Sequence, residues 1–170
     1  MILNALLFAA SLAAAEPKSN ACPVPADQIL LGQFTLTKWW FDIYRAQLYQ
    51  AKGVQAAKQA KPGTQLQITY LRTITHQELV KQTRKEWQKI KMVQALPTQQ
   101  WLDKLNTIWP NVHKGDCIAF SVTPNGTSRF YLGAQPIGTI DDKRFAKAFL
   151  SIWLSPDNGY PKQRQKLLGG

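Results

Sequence analysis

The chain has 170 residues, of which 45% are hydrophobic, and its 21 Lys and Arg against 10 Asp and Glu give a formal net charge of +11. This length suits one globular domain, because domains typically hold roughly 100 to 200 residues. Charged residues make up only 18% of the chain, which excludes an intrinsically disordered basic tail. The excess of positive charge concerns solubility and attraction to anionic partners rather than the fold.

The N-terminal stretch is predicted to be a signal peptide. Residues 2–15 carry no charge and end in Ala13-Ala14-Ala15, which is typical of a small-residue cleavage site. The stretch is too short for a bilayer span, although the usual Lys or Arg before the apolar part is missing. No later segment resembles a transmembrane helix. We therefore expect a signal peptide over residues 1–15, a single domain over residues 16–170, and a periplasmic or secreted product.

The chain has two cysteines, Cys22 and Cys117. Export to an oxidising compartment would allow them to pair and to close a long loop. Two unpaired thiols, with Cys117 as a small buried residue in a strand, fit the sequence equally well. A lipid anchor on Cys22 is disfavoured, because residues 18–21 lack the apolar residue of a lipoprotein cleavage box.

The first half of the domain is predicted to begin with strands. Stretches rich in aromatic and branched residues, with apolar residues at every second position, indicate strands over Ile29 to Thr37, Trp39 to Tyr49, and Gln65 to Thr73. The first two could pair as a hairpin. Between the second and third, the small, basic and turn-rich segment from Ala51 to Gly63 is predicted to be a loop.

Two helices are predicted next, because the apolar period changes from two to about 3.6 residues. The segment from Thr75 to Val93 has an apolar stripe that includes Trp87, with lysines and arginines on the opposite arc. The segment from Thr98 to Trp109 follows, with Thr98 as N-cap and Pro110 as the stop. Their tryptophans are expected in the core.

The second half is predicted to return to strands and then to end in helices. Strands are expected over Cys117 to Thr123, Thr127 to Leu132, and Pro136 to Ile140, and helices after Asp141-Asp142 and over Pro161 to Leu168. The order lacks the regular βαβ alternation of a parallel sheet. The predicted fold class is therefore α+β, with a mostly antiparallel sheet and helices packed on one face.

Motifs of enzyme chemistry are missing from the sequence. It has no nucleophile elbow, phosphate-binding loop, dinucleotide fingerprint or metal-binding repeat, so we expect no cofactor and no metal. His113, Asp116 and Cys117 lie close together in sequence but are interpreted as a polar turn leading into a strand. His76 is interpreted as a polar residue at a helix start. We therefore assign no catalytic residue.

The basic arc of the first helix is interpreted as a solvated face. Export and the separation of the aromatic residues from the basic ones argue against nucleic acid as a partner. Weak association with an anionic membrane surface is the alternative interpretation, and the sequence does not indicate a protein partner.

Several motifs, taken in order, make residues 32–169 resemble the bacterial chalcone isomerase-like proteins, the exported relatives of the chalcone isomerase fold. The motifs are Arg45-Ala46-Gln47-Leu48-Tyr49, Thr69-Tyr70-Leu71-Arg72-Thr73-Ile74, Trp109-Pro110 with Lys114-Gly115-Asp116, Phe130-Tyr131-Leu132-Gly133 with Ile137-Gly138, and the stretch from Phe145 to Leu154 with Ser155-Pro156 and Gln165-Lys166-Leu167-Leu168-Gly169. The resemblance implies an open-faced β-sandwich, in which a large antiparallel sheet carries helices on one side and a cleft lies between them.

The catalytic residues of the plant isomerases do not carry over to this chain. Those enzymes place an arginine on an early strand to meet the developing oxyanion, but no arginine precedes Arg45, and the matching strand offers Leu31-Gly32-Gln33-Phe34. Ile152 falls near the threonine of their late helix, and Tyr44 replaces their early threonine. Loss of an oxyanion donor costs about 3 kcal/mol of transition-state stabilisation, so we expect no chalcone isomerase activity.

Three functions follow from the resemblance. The first is non-catalytic binding of a small apolar or fatty-acid-like ligand in the cleft. The second is an isomerase or lyase that acts on an unknown enone-like substrate, and the third is an envelope protein that binds a partner and no ligand. For the first, the candidate polar contacts are Tyr44, Tyr70 and Arg72, with Arg72 neutralising a carboxylate, and the candidate walls are Trp87 and Trp153.

Overall fold

The computed structural model describes residues 20–53 and 60–170. The predicted signal peptide and the middle of the predicted loop at residues 51–63 lie outside these ranges. Within them, no helix is both long enough and apolar enough to cross a membrane.

Six strands of the described residues form one antiparallel sheet in which each strand pairs with its neighbours in sequence, as a meander. Apolar side chains at alternating positions put one side of the sheet in the core, as Leu66, Ile68 and Tyr70 show. The observed sheet confirms the predicted antiparallel architecture. Its strands are β1 (Gln28–Lys38), β2 (Phe41–Ala51), β3 (Gln65–Tyr70), β4 (Cys117–Val122), β5 (Ser128–Leu132) and β6 (Gln135–Ile140).

In residues 20–53 and 60–170, four α-helices complete the fold and pack on one face of the sheet, which confirms the α+β class. Their apolar stripes face the strands, and the charged residues of α1 lie largely on its exposed side. The helices are α1 (His76–Trp87), α2 (Thr98–Ile108), α3 (Lys143–Leu154) and α4 (Pro161–Leu167).

The first helix is shorter than predicted. It begins with a capping box between Thr75 and Glu78, but it ends at Trp87 instead of continuing to Val93. The Gln94 side-chain amide donates hydrogen bonds to the carbonyl oxygens of Trp87 and Gln88, at 3.1 and 2.9 Å. These bonds satisfy carbonyl groups that the end of a helix leaves without partners, so the chain can leave the helix there.

The other helix starts depend on different local chemistry. The predicted N-cap Thr98 is wrong, because Thr98 is the first helical residue and Pro97 precedes it without a side-chain cap bond. Asp142 caps α3 by accepting a hydrogen bond from the Arg144 N–H at 3.0 Å. Hydrogen bonds from the Arg144 side chain also lower the pKa of Asp142 to about 2, so this cap stays ionised.

The connection between β1 and β2 differs from the prediction. Trp39 and Trp40 were predicted to begin the second strand, but they form a two-residue turn, and β2 begins at Phe41. Both tryptophans have positive φ angles and are exposed. Two of the six tryptophans therefore lie outside the core.

Residues 20–25, the N-terminal strap, cross the sheet face opposite the helices. A disulfide joins Cys22 to Cys117, with the two Cα atoms 5.4 Å apart. The Asn20 side-chain amide donates to the Asp116 carboxylate at 3.0 Å, and the Gln67 amide donates to the Pro23 carbonyl at 2.9 Å. The strap therefore covers part of the sheet face that the helices leave open.

Candidate functional site

A cavity of about 340 Å³ lies between the sheet and the helices α1, α3 and α4. This volume falls within the range of roughly 300 to 1,000 Å³ that is typical of small-molecule sites. The wall is mostly apolar, and its side chains come from the strands and from α3. They include Phe34, Ile68, Phe120, Phe149 and Ile152.

A bulge in β2 shapes the cavity wall. The pairing with β1 shifts between Leu36 and Thr37, so that Ile43 is an extra residue on the second strand. Successive residues of a regular strand point to opposite faces, but a bulge re-aims the side chain beside it. As a result Ile43 and Tyr44 both line the cavity.

Tyr44 and Tyr70 are direct cross-strand neighbours, and both line the cavity. The Tyr44 hydroxyl accepts a hydrogen bond from the Trp153 indole N–H at 3.1 Å. Burial raises the pKa of both phenols above the ordinary value for tyrosine. Both hydroxyls are therefore neutral near neutral pH, where they can donate hydrogen bonds.

Positive side chains lie at the exposed edge of the cavity. Arg72 follows the end of β3 and is exposed, while Lys38 ends β1 and is partly buried, and both line the cavity. No ion pair within 4 Å forms at Arg72 in the part of the chain that the structure describes. Glu78 lies at the same edge, where its carboxylate accepts hydrogen bonds from Thr75 that lower its pKa. The Arg72 charge also helps to lower the Glu78 pKa, so Arg72 places a positive group at this edge.

A buried carboxylate, that of Glu86, also lines the cavity and was not singled out in the sequence. It accepts hydrogen bonds from the Gln82 amide at 2.5 Å and from the Lys89 ammonium at 3.0 Å. The Lys89 contact balances the Glu86 charge with a cation on the same helix. Glu86 could be found only once the inward face of α1 was known.

Trp109 is a second residue that sequence reasoning missed as a ligand contact. It lines the cavity and packs against the rings of Phe130 and Phe149. Its indole N–H is buried and has no hydrogen-bond partner among residues 20–53 and 60–170. Because buried donors normally have partners, this N–H is an unsatisfied polar group within the cavity wall.

The structure brings four of the five predicted ligand contacts together. Tyr44, Tyr70, Arg72 and Trp153 all line the cavity. The prediction that Trp87 forms a wall is corrected, because Trp87 is buried away from this cavity and donates its indole N–H to the Ala148 carbonyl at 2.8 Å. Its side chain holds α1 against α3.

The two histidines lie apart from the cavity wall. The His113 backbone N–H donates to the Asp116 carboxylate at 2.8 Å, in a turn that leads into β4, as the sequence indicated. His76 begins α1, and its backbone N–H donates to the Asn111 side chain at 2.9 Å. Among the described residues, no group of three His, Cys, Asp or Glu side chains is placed to hold a metal ion.

The open-faced antiparallel sheet, with a cavity beneath one layer of helices, defines the architectural class of this protein. Residues 28–169 match the family model described as chalcone isomerase-like. The chain therefore belongs to the chalcone isomerase-like family.

Two further comparisons place the chain among known proteins. A fatty-acid binding protein of Arabidopsis thaliana has a similar solved structure, with a TM-score of 0.64 and 10% sequence identity over 91% of each chain. At this identity the likeness shows the fold. An uncharacterised protein of Haemophilus influenzae is 29% identical over 72 residues, which are 42% of this chain and 35% of that protein. That alignment spans about a third of the relative's length.

Proposed function

We propose that this protein is a non-catalytic binder of a small apolar ligand with an anionic end, such as a fatty acid. The observation that carries the proposal is the mostly apolar cavity of about 340 Å³, with cationic side chains at its exposed edge. Apolar walls with a few polar groups are the general form of a small-molecule site. The structural similarity to a plant fatty-acid binding protein supports the same ligand class.

The orientation of the ligand follows from the charges. Its carboxylate contacts Arg72 at the exposed edge, where the guanidinium has two N–H groups in the geometry that a carboxylate prefers. Its hydrocarbon tail lies along Ile68 and Ile152 inside the cavity. Tyr70 supplies a hydrogen-bond donor along the wall, which suits a ligand that carries a further oxygen.

Catalysis is not part of the proposed function. The residues that the resemblance aligns with the isomerase site include Phe34, Tyr44 and Ile152, which line the cavity. Phe34 and Ile152 have no polar group to stabilise an oxyanion. Tyr44 has a raised pKa, which makes it a weaker acid than an ordinary tyrosine.

The experiment that tests the proposal measures uptake of palmitate by delipidated protein, with native mass spectrometry and calorimetry. We expect a one-to-one complex. Arg72→Ala should weaken binding by roughly threefold to tenfold, because an exposed ion pair contributes little more than about 1 kcal/mol. Arg45→Ala, which removes an exposed arginine outside the cavity, is the matched control and should bind as the wild type does.

A second variant tests the cavity itself. Ile152→Trp places a larger side chain in the cavity wall and should abolish uptake while the protein stays folded by circular dichroism. Absence of palmitate uptake by the wild type, or unchanged uptake by the folded Ile152→Trp variant, would overturn the proposal.

An isomerase or lyase is the second candidate function, and the paired phenols of Tyr44 and Tyr70 favour it. Two neutral hydroxyls on neighbouring strands could polarise the carbonyl of an enone in the cavity. Incubation with chalcone and related enones would have to give product above the spontaneous rate, and Tyr70→Phe would have to lower that rate. Product formation at the spontaneous rate would exclude this candidate function.

Export of the protein is also part of the proposal. The disulfide between Cys22 and Cys117 supports it, because such bonds persist mainly in oxidising compartments. The mass of the protein isolated from its native cells should correspond to a chain that begins near Glu16. A mass that retains residues 1–15 would contradict the predicted cleavage.

A further inference from the structure

The turn between β1 and β2 exposes three consecutive aromatic side chains. Lys38 pairs with Phe41, so Trp39 and Trp40 form the whole connection between the strands. The exposed fractions are 83% for Trp39, 90% for Trp40 and 66% for Phe41. We call these three residues the aromatic tip. Aromatic residues normally contribute to cores. This amount of exposed ring surface therefore requires an explanation.

The backbone of the aromatic tip is also unfavourable for its residues. The φ angles of Trp39 and Trp40 are 64° and 134°, in the region that favours glycine. Two-residue hairpin turns usually carry Asn-Gly, which adopts such angles at little cost. Neither core packing nor turn chemistry favours bulky residues at such strained positions. Strained positions of this kind are typical of functional segments.

The aromatic tip adjoins the exposed edge of the cavity. The cavity is lined by Lys38, immediately before the tip, and by Ile43, two residues after it. Leu36, two residues before Lys38 on β1, also lines the cavity. The two strands that carry the tip therefore also form part of the cavity wall. A surface that bound the tip would lie beside the cavity opening.

The chemistry of the aromatic tip and its surroundings matches a lipid surface. Tryptophan has an apolar ring and one N–H donor, and it concentrates at the interface between lipid and water. The chain carries a net charge of +11, with Lys38 next to the tip and Arg72 at the same cavity edge. Two acidic residues, Asp42 beside the tip and Glu78 at the same cavity edge, offset these two cations locally. The net charge of +11 on the whole chain therefore makes anionic headgroups the complementary partner.

We propose that the aromatic tip inserts into the interface of an anionic lipid bilayer and holds the cavity opening against it. Three aromatic side chains present roughly 600 Å² at most, which is less than the roughly 800 Å² that each partner of a stable protein complex buries. A bilayer needs no such complementary area, because a few inserted side chains and nearby cations suffice for reversible association. Insertion of the tip does not depend on a bound ligand.

This arrangement provides a route by which the ligand of the proposed function reaches the cavity. Only this consequence rests on the proposed function. A fatty acid is concentrated in the bilayer, with its carboxylate at the headgroup level. With the tip inserted, Lys38 and Arg72 lie near that level and can receive the carboxylate, while the tail enters the cavity. The aromatic tip is therefore a docking element for ligand exchange.

The test measures binding of the delipidated chain to vesicles by co-sedimentation, without added fatty acid. The vesicles contain phosphatidylcholine alone or an equal mixture of phosphatidylcholine and phosphatidylglycerol. The double variant Trp39→Asn/Trp40→Gly removes both indoles and supplies the sequence that such a turn prefers, so its fold is retained. Met92→Gln, which removes an exposed apolar side chain elsewhere, is the matched control.

We expect the wild type and Met92→Gln to bind the anionic vesicles more tightly than the neutral ones, and added salt to weaken that binding. The Trp39→Asn/Trp40→Gly variant should lose roughly tenfold or more in affinity. Brominated lipids should quench tryptophan fluorescence of the wild type and not that of the double variant.

Two outcomes would overturn the inference. One is equal vesicle binding by the wild type and the double variant. The other is a wild type that does not bind vesicles but forms dimers in sedimentation, while the double variant stays monomeric. In that case the tip would bind a second copy of the chain. Palmitate uptake in vesicle-free buffer reports on the cavity separately, so failure of the tip and failure of the proposed function are distinguishable.

Discussion

The layer between sheet and helices has two ends that are filled in different ways. At one end the rings of Trp87, Trp101, Phe130 and Phe145 are fully or almost fully buried. Contacts among these rings bring their centroids within 5.5 to 6.1 Å of one another. At the other end the side chains surround a cavity instead. We call these the packed end and the cavity end.

The chemistry of the two ends differs as well as their packing. At the packed end the rings of Phe130 and Phe145 have no polar atoms, and the Trp87 N–H is satisfied by a backbone carbonyl. The cavity end has the hydroxyls of Tyr44 and Tyr70 and a Trp109 N–H that finds no partner in the described part of the chain. A core that only served stability would not place such groups around a void, since both the void and unsatisfied donors destabilise it. The difference indicates that the cavity end serves binding.

Matched truncations at the two ends give the largest expected effect. Phe145→Ala removes a fully buried ring at the packed end and should lower the free energy of unfolding by roughly 3 to 5 kcal/mol. Phe34→Ala, in the cavity wall, should cost less, about 2 kcal/mol, because its ring already borders a cavity. Urea unfolding measures both values. Equal losses would contradict the contrast between the two ends.

Removal of the disulfide should weaken both ends together. The bond joins residues 95 apart, so the chain-entropy estimate for Cys22→Ala/Cys117→Ala is a loss of about 4.7 kcal/mol at most. The strap lies on the far face of the sheet, so palmitate binding by the folded fraction should be unchanged. The midpoint of thermal unfolding checks the stability, and reduction of the wild type is the control. A selective loss of binding would show that the strap supports the cavity end.

Acid should weaken the attachment of the strap to the sheet, with a smaller effect on stability than removal of the disulfide. Burial alone would raise the pKa of Asp116. Hydrogen bonds from His113 and Asn20 together outweigh this effect and hold the pKa below the ordinary value. A carboxylate with a lowered pKa contributes stability that is present above its unfolded pKa of about 3.9 and is lost as the pH falls through the folded value. Asp116→Asn should therefore cost roughly 1 kcal/mol at neutral pH and less in acid.

The measurement for Asp116 is urea unfolding of the wild type and the variant between neutral pH and the acid limit of folding. Asp103→Asn, on the exposed side of α2, is the control and should leave the profile nearly unchanged. If the stability difference between wild type and Asp116→Asn stays constant as the pH falls, the ionised Asp116 does not hold the strap.

Most of the fold could be predicted from local patterns. Alternating apolar residues identified the strands, since one face of the sheet is buried along nearly every strand, as in Leu66, Ile68 and Tyr70. The errors occurred where nonlocal or unusual contacts decide the backbone. Gln94 ends the first helix early, and Trp39-Trp40 forms a turn without any residue that normally indicates one.

The candidate site was less predictable than the fold. Tyr70 was found because it shares a strand face with Leu66 and Ile68, and Tyr44 because the family resemblance places it where the isomerases have a threonine. Trp87 was misplaced because periodicity shows that a side chain faces inward but not whether it meets a neighbour or a cavity. Glu86 and Trp109 were missed for the same reason, since their surroundings come from elements distant in sequence.

The sequence by itself determined the strands, the amphipathic helices and the chalcone isomerase-like family, because these depend on periodic burial and local motifs. Only the tertiary structure decided which inward side chains close the core and which surround a cavity. It also decided that two of the six tryptophans lie outside. The physical reason is that packing depends on the distances between separate elements, and a one-residue shift such as the bulge at Ile43 changes what a side chain faces.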